Sequence, residues 1–283
     1  MMNIKAILKK SVFTCALSLG LMSFTGQANA LLLTDSLVFI GPKGGSAVFK
    51  LKNTAQQPES YRLEWDQLIM GQDGPKLTVS EEEARSMGVE PASPHMYVAP
   101  RRLLLQPGQL QNIRFMLRRN NNMAAGEYRS YITIGPEEIP PEFNPDGSTK
   151  SKPGGGQAAE LTMLTGYRIP VFFLHGETTL DVSFSNVVFQ KVDDTRTRVD
   201  FTLNRSGTRS ALGDIEIRCA APDGRNLILS RAKARVFKEI GSRSFTRSID
   251  VPPAGCNSIV MGYKLHDGDP LASTDYIIST QLK

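Results

Sequence analysis

The sequence predicts an all-β protein built as two consecutive β-sandwiches. Short runs alternating apolar and polar residues follow one another from Leu31 onward, and Gly, Pro, Asn and Asp punctuate them at short intervals. Only Ser80 to Met87 reads as helix. Period-two patterning places successive side chains on opposite faces of a strand, and frequent turn residues keep the strands short, which is the pattern of a sandwich.

Taken in order, Ala47, Phe49 and Leu51 alternate with Val48, Lys50 and Lys52, and this run stops at Asn53-Thr54. Tyr61, Leu63 and Trp65 alternate with Arg62 and Glu64, and Ile113, Phe115 and Leu117 alternate with polar partners after the turn Gln106-Pro107-Gly108. Tyr131 to Ile134 and the long run Leu161 to Leu174 complete the first half. The helical piece has a Ser N-cap followed by three acids, which suits one or two turns inside a loop. Gly41 to Ser46 lies between two strand-like runs and reads as a hairpin turn. Its spacing does not fit a phosphate-binding loop.

The Pro/Gly/Ser/Lys-rich stretch 139–156 reads as a loop within the first half. The domain boundary is placed at His175-Gly176-Glu177, where the long run ends. Beyond it, strands are expected at Leu180–Val188, Arg196–Leu203, Gly213–Cys219, Asn226–Leu229, Ser244–Val251, Ser258–Tyr263 and Tyr276–Gln281. The organisation is therefore a leader at 1–30, a first domain at 31–176 and a second at 177–283, each domain of ordinary size. No internal repeat is apparent.

The leader has the layout of a secretory signal. Lys5, Lys9 and Lys10 precede an apolar run from Val12 to Phe24, and Ala28-Asn29-Ala30 supplies the small residues of a cleavage site. The run is too short and interrupted to span a bilayer, so no stable membrane insertion is expected. Cys15 follows Phe13 and Thr14, where a lipidation site would have small residues. The whole chain carries 33 Lys+Arg and 28 Asp+Glu, a net of +5. Removing three leader lysines leaves 30 against 28, a net of +2. A nearly neutral chain gives no compositional support for nucleic-acid binding. Export leaves Cys219 and Cys256 as a pair in an oxidising compartment, where a disulfide is expected and two buried thiols are the alternative.

Motifs for chemistry are missing. The three histidines His95, His175 and His266 are scattered in loops and junctions, and no C-x-x-C, H-E-x-x-H or G-x-S-x-G occurs. The sequence points to no enzyme, no cofactor and no metal. Arg101, Arg102, Arg114, Arg118 and Arg119 could gather as an anion site, or could line a solvated strand face.

Four segments carry a resemblance. They are Leu37-Val38-Phe39 leading to Phe49-Lys50-Leu51-Lys52-Asn53-Thr54, then Val98-Ala99-Pro100-Arg101-Arg102-Leu103 through Gln109, then Gly126-Glu127-Tyr128-Arg129-Ser130, and Tyr167-Arg168-Ile169-Pro170-Val171-Phe172-Phe173. Their order and spacing resemble the periplasmic pilus-assembly chaperones of the chaperone–usher pathway over the whole first domain. Leu203-Asn204-Arg205-Ser206-Gly207 and Gly213-Asp214 are similar to the family more loosely.

The resemblance implies two immunoglobulin-like β-sandwiches in an L or boomerang arrangement, a location in the periplasm, and a non-catalytic role in fimbrium biogenesis. Its partners would be pilin subunits and an outer-membrane usher. A pilin lacks its last strand, and the chaperone lends a strand from the end of its first domain, a case of β-strand addition. The donor face would comprise Leu161, Met163, Thr165, Tyr167 and Ile169. The alternative is an edge strand that packs only its own core.

In the family, a cation in the first strand and another in the donor strand hold the pilin's terminal carboxylate. The matching positions here are Ser36 and Pro170, so that clamp does not carry over, and a divergent (archaic or alternative) branch is implied. Arg168 is the first replacement candidate, followed by Arg101, Arg102 and Arg129. Two other functions compete. A pilus subunit or adhesin would begin with an alternating N-terminal extension, and a carbohydrate-binding module would need an aromatic platform, for which Trp65 is the only tryptophan.

Overall fold

The computed structural model describes residues 31–71, 76–118, 122–137, 166–220, 226–250 and 258–269, together with 256, 272 and 278–282. The leader, the 139–156 stretch and residues 161–165 lie outside them.

The first half runs β1 (Leu31–Leu33), β2 (Val38–Ile40), β3 (Ser46–Asn53), β4 (Glu59–Asp66), β5 (Leu68–Met70), β6 (Lys76–Thr78), helix α1 (Glu81–Ser86), β7 (Met96–Ala99), β8 (Arg102–Leu105), β9 (Leu110–Leu117), β10 (Gly126–Glu137) and β11 (Tyr167–His175). One sheet has the order β1-β3-β9-β7 and the other β2-β11-β10-β4-β8. These are the A-B-E-D and G-F-C orders of an immunoglobulin-like sandwich. The alternation seen in the sequence builds the core between them. Phe49, Leu51, Ile113 and Phe115 point inward from one sheet and Tyr61, Leu63, Ile132 and Val171 from the other, all at most 3% exposed. The intervening Lys50, Lys52 and Arg114 face solvent, and Arg118 lies over the Tyr97 ring at 4.4 Å. The described arginines of the candidate group therefore line solvated surface.

The ends of elements have local causes. Asn53 stops β3 because its side chain is drawn inward: Nδ2 donates to the carbonyls of Gln57 and Leu105, both at 2.9 Å, while Oδ1 accepts from the Ala55 amide at 2.8 Å. Helix α1 starts with a capping box, in which Ser80 Oγ accepts from the Glu83 amide and the Glu83 carboxylate accepts from the Ser80 amide. Hydrogen bonding of the carboxylate to the Ser80 amide, and then to the Ser80 side chain, holds the Glu83 carboxyl below its ordinary pKa.

The Gly41–Ser46 connection departs from the hairpin expected of it. A turn does form, closed by the Gly44 amide on the Gly41 carbonyl at 3.0 Å. However, β2 pairs in parallel with β11 in one sheet, and β3 pairs with β1 and β9 in the other. The segment is a crossover between sheets, and local turn chemistry alone does not distinguish the two.

The second half runs β12 (Leu180–Lys191), β13 (Arg196–Gly207), β14 (Ala211–Ala220), β15 (Asn226–Val236), β16 (Ser242–Asp250), β17 (Ser258–Leu265) and β18 (Ile278–Leu282). Sheet β12-β13-β16 packs on sheet β15-β14-β17-β18. Val199, Phe201 and Leu203 meet Ile215, Ile217, Met261 and Tyr263 in its core. Gly213 has to be glycine, because a Cβ there would meet the Lys264 carbonyl oxygen at 2.2 Å. Cys219 and Cys256 are joined by a disulfide, with Cα atoms 5.6 Å apart.

Candidate functional site: the open edge of β11 and the junction of the sandwiches

Strand β11 is apolar on both faces because both are covered. Ile169, Val171 and Phe173 enter the first core, whereas Phe172 joins the cluster built mainly by the second half. A strand buried on two sides reads as a continuous apolar run, which explains the unbroken Ile169–Leu174.

Its two edges differ. Antiparallel β10 accompanies β11 along its length, from Gly126↔His175 to Ile134↔Tyr167. On the other edge β2 covers only Val171, Phe172 and Phe173. From Tyr167 to Pro170, no strand among the described residues covers that edge. Unpaired backbone groups in such a row can accept an added strand. Of the five donor-face candidates, Tyr167 and Ile169 are described, and both pack toward the first sandwich's own core. Leu161, Met163 and Thr165 lie outside the described residues.

The four arginine candidates are spread widely. Arg168 is half exposed and reaches across β10, away from the open edge, with its Nε 2.9 Å from Asp66 of β4. Arg102 on the peripheral β8 is paired with Glu137 at 3.4 Å. Arg101 lies just before β8, exposed, with no side-chain ion pair among the described residues. Arg129 is fully buried, and its guanidinium forks onto Glu239 at 2.6 and 2.9 Å. It also donates to the Leu68 carbonyl at 3.3 Å and stacks on Phe237 at 4.4 Å. Burial opposes its charge, but Glu239 outweighs this and keeps the guanidinium above its ordinary pKa.

The Arg129–Glu239 pair belongs to a polar seam between the two halves. Glu239 also accepts from the Met70 amide at 2.7 Å, and Glu127 accepts from the Ser210 amide and hydroxyl at 2.6 and 2.7 Å. Leu68, Met70, Tyr131 and Phe172 of the first half share one apolar cluster with the second. Ser36, where the resemblance places a cation, instead receives one: Arg235 of β15 donates to its carbonyl at 3.1 Å and its hydroxyl at 2.5 Å. Glu239 and Arg235 were not singled out in the sequence, because each lies more than a hundred residues from its partner.

Burial raises the Glu127 pKa, outweighing the nearby cations and the Ser210 hydrogen bonds. The folded protein therefore binds this proton more readily than the unfolded chain. The group's contribution to stability is present below the ordinary glutamate range and is lost as pH rises through the raised value. Glu127→Gln should flatten the pH dependence of the urea midpoint over that window. An unchanged slope would show that Glu127 does not set it.

The histidines have structural surroundings. His95 sits edge-on to Tyr128 at 5.2 Å and is held below its ordinary pKa by burial. His266 accepts from the Gly268 amide at 3.1 Å.

No protein-family model and no curated protein matches the sequence. Solved structures of fimbrial chaperones are among those to which the chain is similar. The class 5 fimbriae chaperone CfaA is 12% identical over 89% of this chain and 98% of its own, with a TM-score of 0.43. The E. coli chaperone DraB is 13% identical over 90% and 98%, also with a TM-score of 0.43. A structure of the Salmonella enterica SafA pilin in complex with the SafB chaperone gives 10% identity over 90% and 97%, with a TM-score of 0.42. At identities and TM-scores this low, the functional reading rests on this chain's own residues.

Proposed function

We propose that this protein is a periplasmic chaperone of the chaperone–usher type. It is exported by its 1–30 leader, captures pilin subunits by donor-strand complementation, and delivers them to an outer-membrane usher. Residues 31–176 would form the capturing domain and 177–283 the second domain. The observation that carries this reading is that, among the described residues, no strand covers the edge of β11 from Tyr167 to Pro170. Backbone groups on that edge supply a ladder for an incomplete sandwich, and alternate side chains fill its groove. Tyr167 and Ile169 mark where the donor face merges with the chaperone's own core. Leu161, Met163 and Thr165, upstream on the same period, are left to enter the subunit. Met163 suits a groove that varies between subunits, because its unbranched side chain adapts.

Co-expression with the cognate pilin tests this. Soluble pilin should co-purify with the parent protein and be lost with the double variant Leu161→Asp/Met163→Asp. Both substitutions would place a carboxylate in an apolar groove, each at a cost of several kcal/mol. Arg114→Asp, on the solvated face of β9, should leave the complex intact. Equal recovery with the double variant would remove the donor strand from the proposal.

A further inference from the structure

The outer face of the sheet β1-β3-β9-β7 carries cations without acids. None of its four strands contains an aspartate or a glutamate. Lys50 and Lys52 project from β3 and Arg114 from β9, all exposed, and none of them forms an ion pair among the described residues. Arg118 continues the β9 period and lies over the Tyr97 ring at 4.4 Å. Strands β4 and β13, by contrast, interleave the two signs, with Arg62 paired to Glu64 and Arg198 to Asp200. A face of one sign holds a positive potential, which favours an anionic partner. Apolar side chains stand between these cations. The register sets Leu32, Lys52 and Leu110 in one row across the sheet, Val48 beside Arg114 in another, and Met116 beside Tyr97 in a third. Leu32, Val48 and Leu110 are each more than half exposed. Three strand spacings of about 4.8 Å and six residues of about 3.4 Å each give the face a span of roughly 14 by 20 Å.

We propose that this face lies reversibly on the surface of a bilayer that contains anionic phospholipid. The cations meet the lipid phosphates, while the leucine, valine, methionine and tyrosine side chains between them enter the headgroup layer. Composition separates a lipid surface from a protein partner. The core of a protein interface gathers apolar side chains and is depleted in lysine, whereas here Lys52 sits between Leu32 and Leu110. A bilayer accepts that mixture, because a lysine lays its alkyl stem among the headgroups and keeps its charge at the phosphates. Each cation held near an anionic surface strengthens binding about fivefold, so a small cluster gives attachment that is readily reversed. The face points away from the sheet that contains β11, on which the first core is packed. Attachment therefore does not occupy that sheet, and the proposal stands independently of strand addition.

Vesicle sedimentation tests this with residues 31–283, because the apolar leader would bind lipid by itself. The protein should co-sediment with vesicles of phosphatidylcholine and phosphatidylglycerol mixed three to one, and stay in solution with phosphatidylcholine alone. Raising the salt from about 0.1 M to about 1 M shortens the screening length from about 10 Å to about 3 Å and should release most of the bound protein. Lys50→Gln/Lys52→Gln should weaken binding about 25-fold, and Leu32→Ser/Leu110→Ser about tenfold. Arg196→Gln/Arg198→Gln removes the same charge from the second sandwich and should change binding by no more than about twofold. In the parent protein, mixed vesicles should shield Lys50 and Lys52 from acetylation by acetic anhydride but leave the exposed Lys191 of β12 reactive. Equal loss of binding in the two charge variants overturns the assignment to this face, as does equal acetylation of Lys50 and Lys52 with and without vesicles. Failure to co-sediment with the mixed vesicles overturns the proposal, and shielding of the same lysines by polyglutamate would then assign the face to an acidic protein segment.

Discussion

Replacing Arg129 with methionine is expected to destabilise the protein by about 3–5 kcal/mol, read as a lower urea midpoint. The guanidinium is 0% exposed and the Glu239 side chain 4%, so the pair has almost no water to fall back on. In the parent protein Glu239 receives both terminal nitrogens of Arg129 and the Met70 amide. Methionine fills much of the space over Phe237 but leaves the carboxylate buried with a single donor. The uncompensated charge, rather than the lost attraction, sets the size of the effect. The double variant Arg129→Met/Glu239→Leu should therefore recover most of the loss. A single variant within about 1 kcal/mol of the parent would place the pair with ordinary surface ion pairs. Because the pair joins the two halves of the chain, the same variant should also loosen the junction in which Arg235 holds Ser36, just before β2. Its effect on subunit binding should accordingly exceed that of Arg102→Met, whose exposed pair with Glu137 lies at the sheet periphery.

Removing the Cys219–Cys256 bond should cost about 2–4 kcal/mol, measured as the difference in urea midpoint between the parent protein and Cys219→Ser/Cys256→Ser. The bond closes a loop with a sequence separation of 37 residues, and chain entropy alone assigns a closure of this size about 4 kcal/mol. The native state loses little else. Cys219 on β14 is already paired with Ile259 of β17, so the bridge ties β14 to a residue just before its own sheet neighbour. The effect should act through the unfolded chain and appear in the second sandwich. Near-identical midpoints with and without reductant would show that the crosslink does not constrain the unfolded state.

Much of the first sandwich was legible because strand period is a local property. The Phe49/Leu51, Tyr61/Leu63 and Ile113/Phe115 alternations place those residues in the core, and the Ser80 capping box marks the start of α1 within four residues of sequence. The second-half strands were also found, but several run further than their apolar patterns. Strand β15 extends to Val236 and β13 to Gly207. There, Arg231, Lys233 and Arg235 alternate with neighbours that pack inward, and charged outer positions obscure the pattern.

The candidate site was only half legible. The β11 run and its neighbouring arginines were visible, but their roles were not. Arg129 looks like Arg102 in sequence, yet one is buried against Glu239 and the other is exposed beside Glu137. Burial is settled by the second sandwich, which contributes Phe237 and Glu239 from more than a hundred residues away.

By itself, then, the sequence determined the all-β class, the faces of the main first-half strands and the start of α1, because spacing of one to four residues governs each of these. The tertiary structure alone decided that Gly41–Ser46 crosses between sheets, that among the described residues no strand covers β11 from Tyr167 to Pro170, and that Arg235 reaches Ser36. Those outcomes depend on which surfaces pack together, and packing joins residues whose separation along the chain leaves no periodic trace.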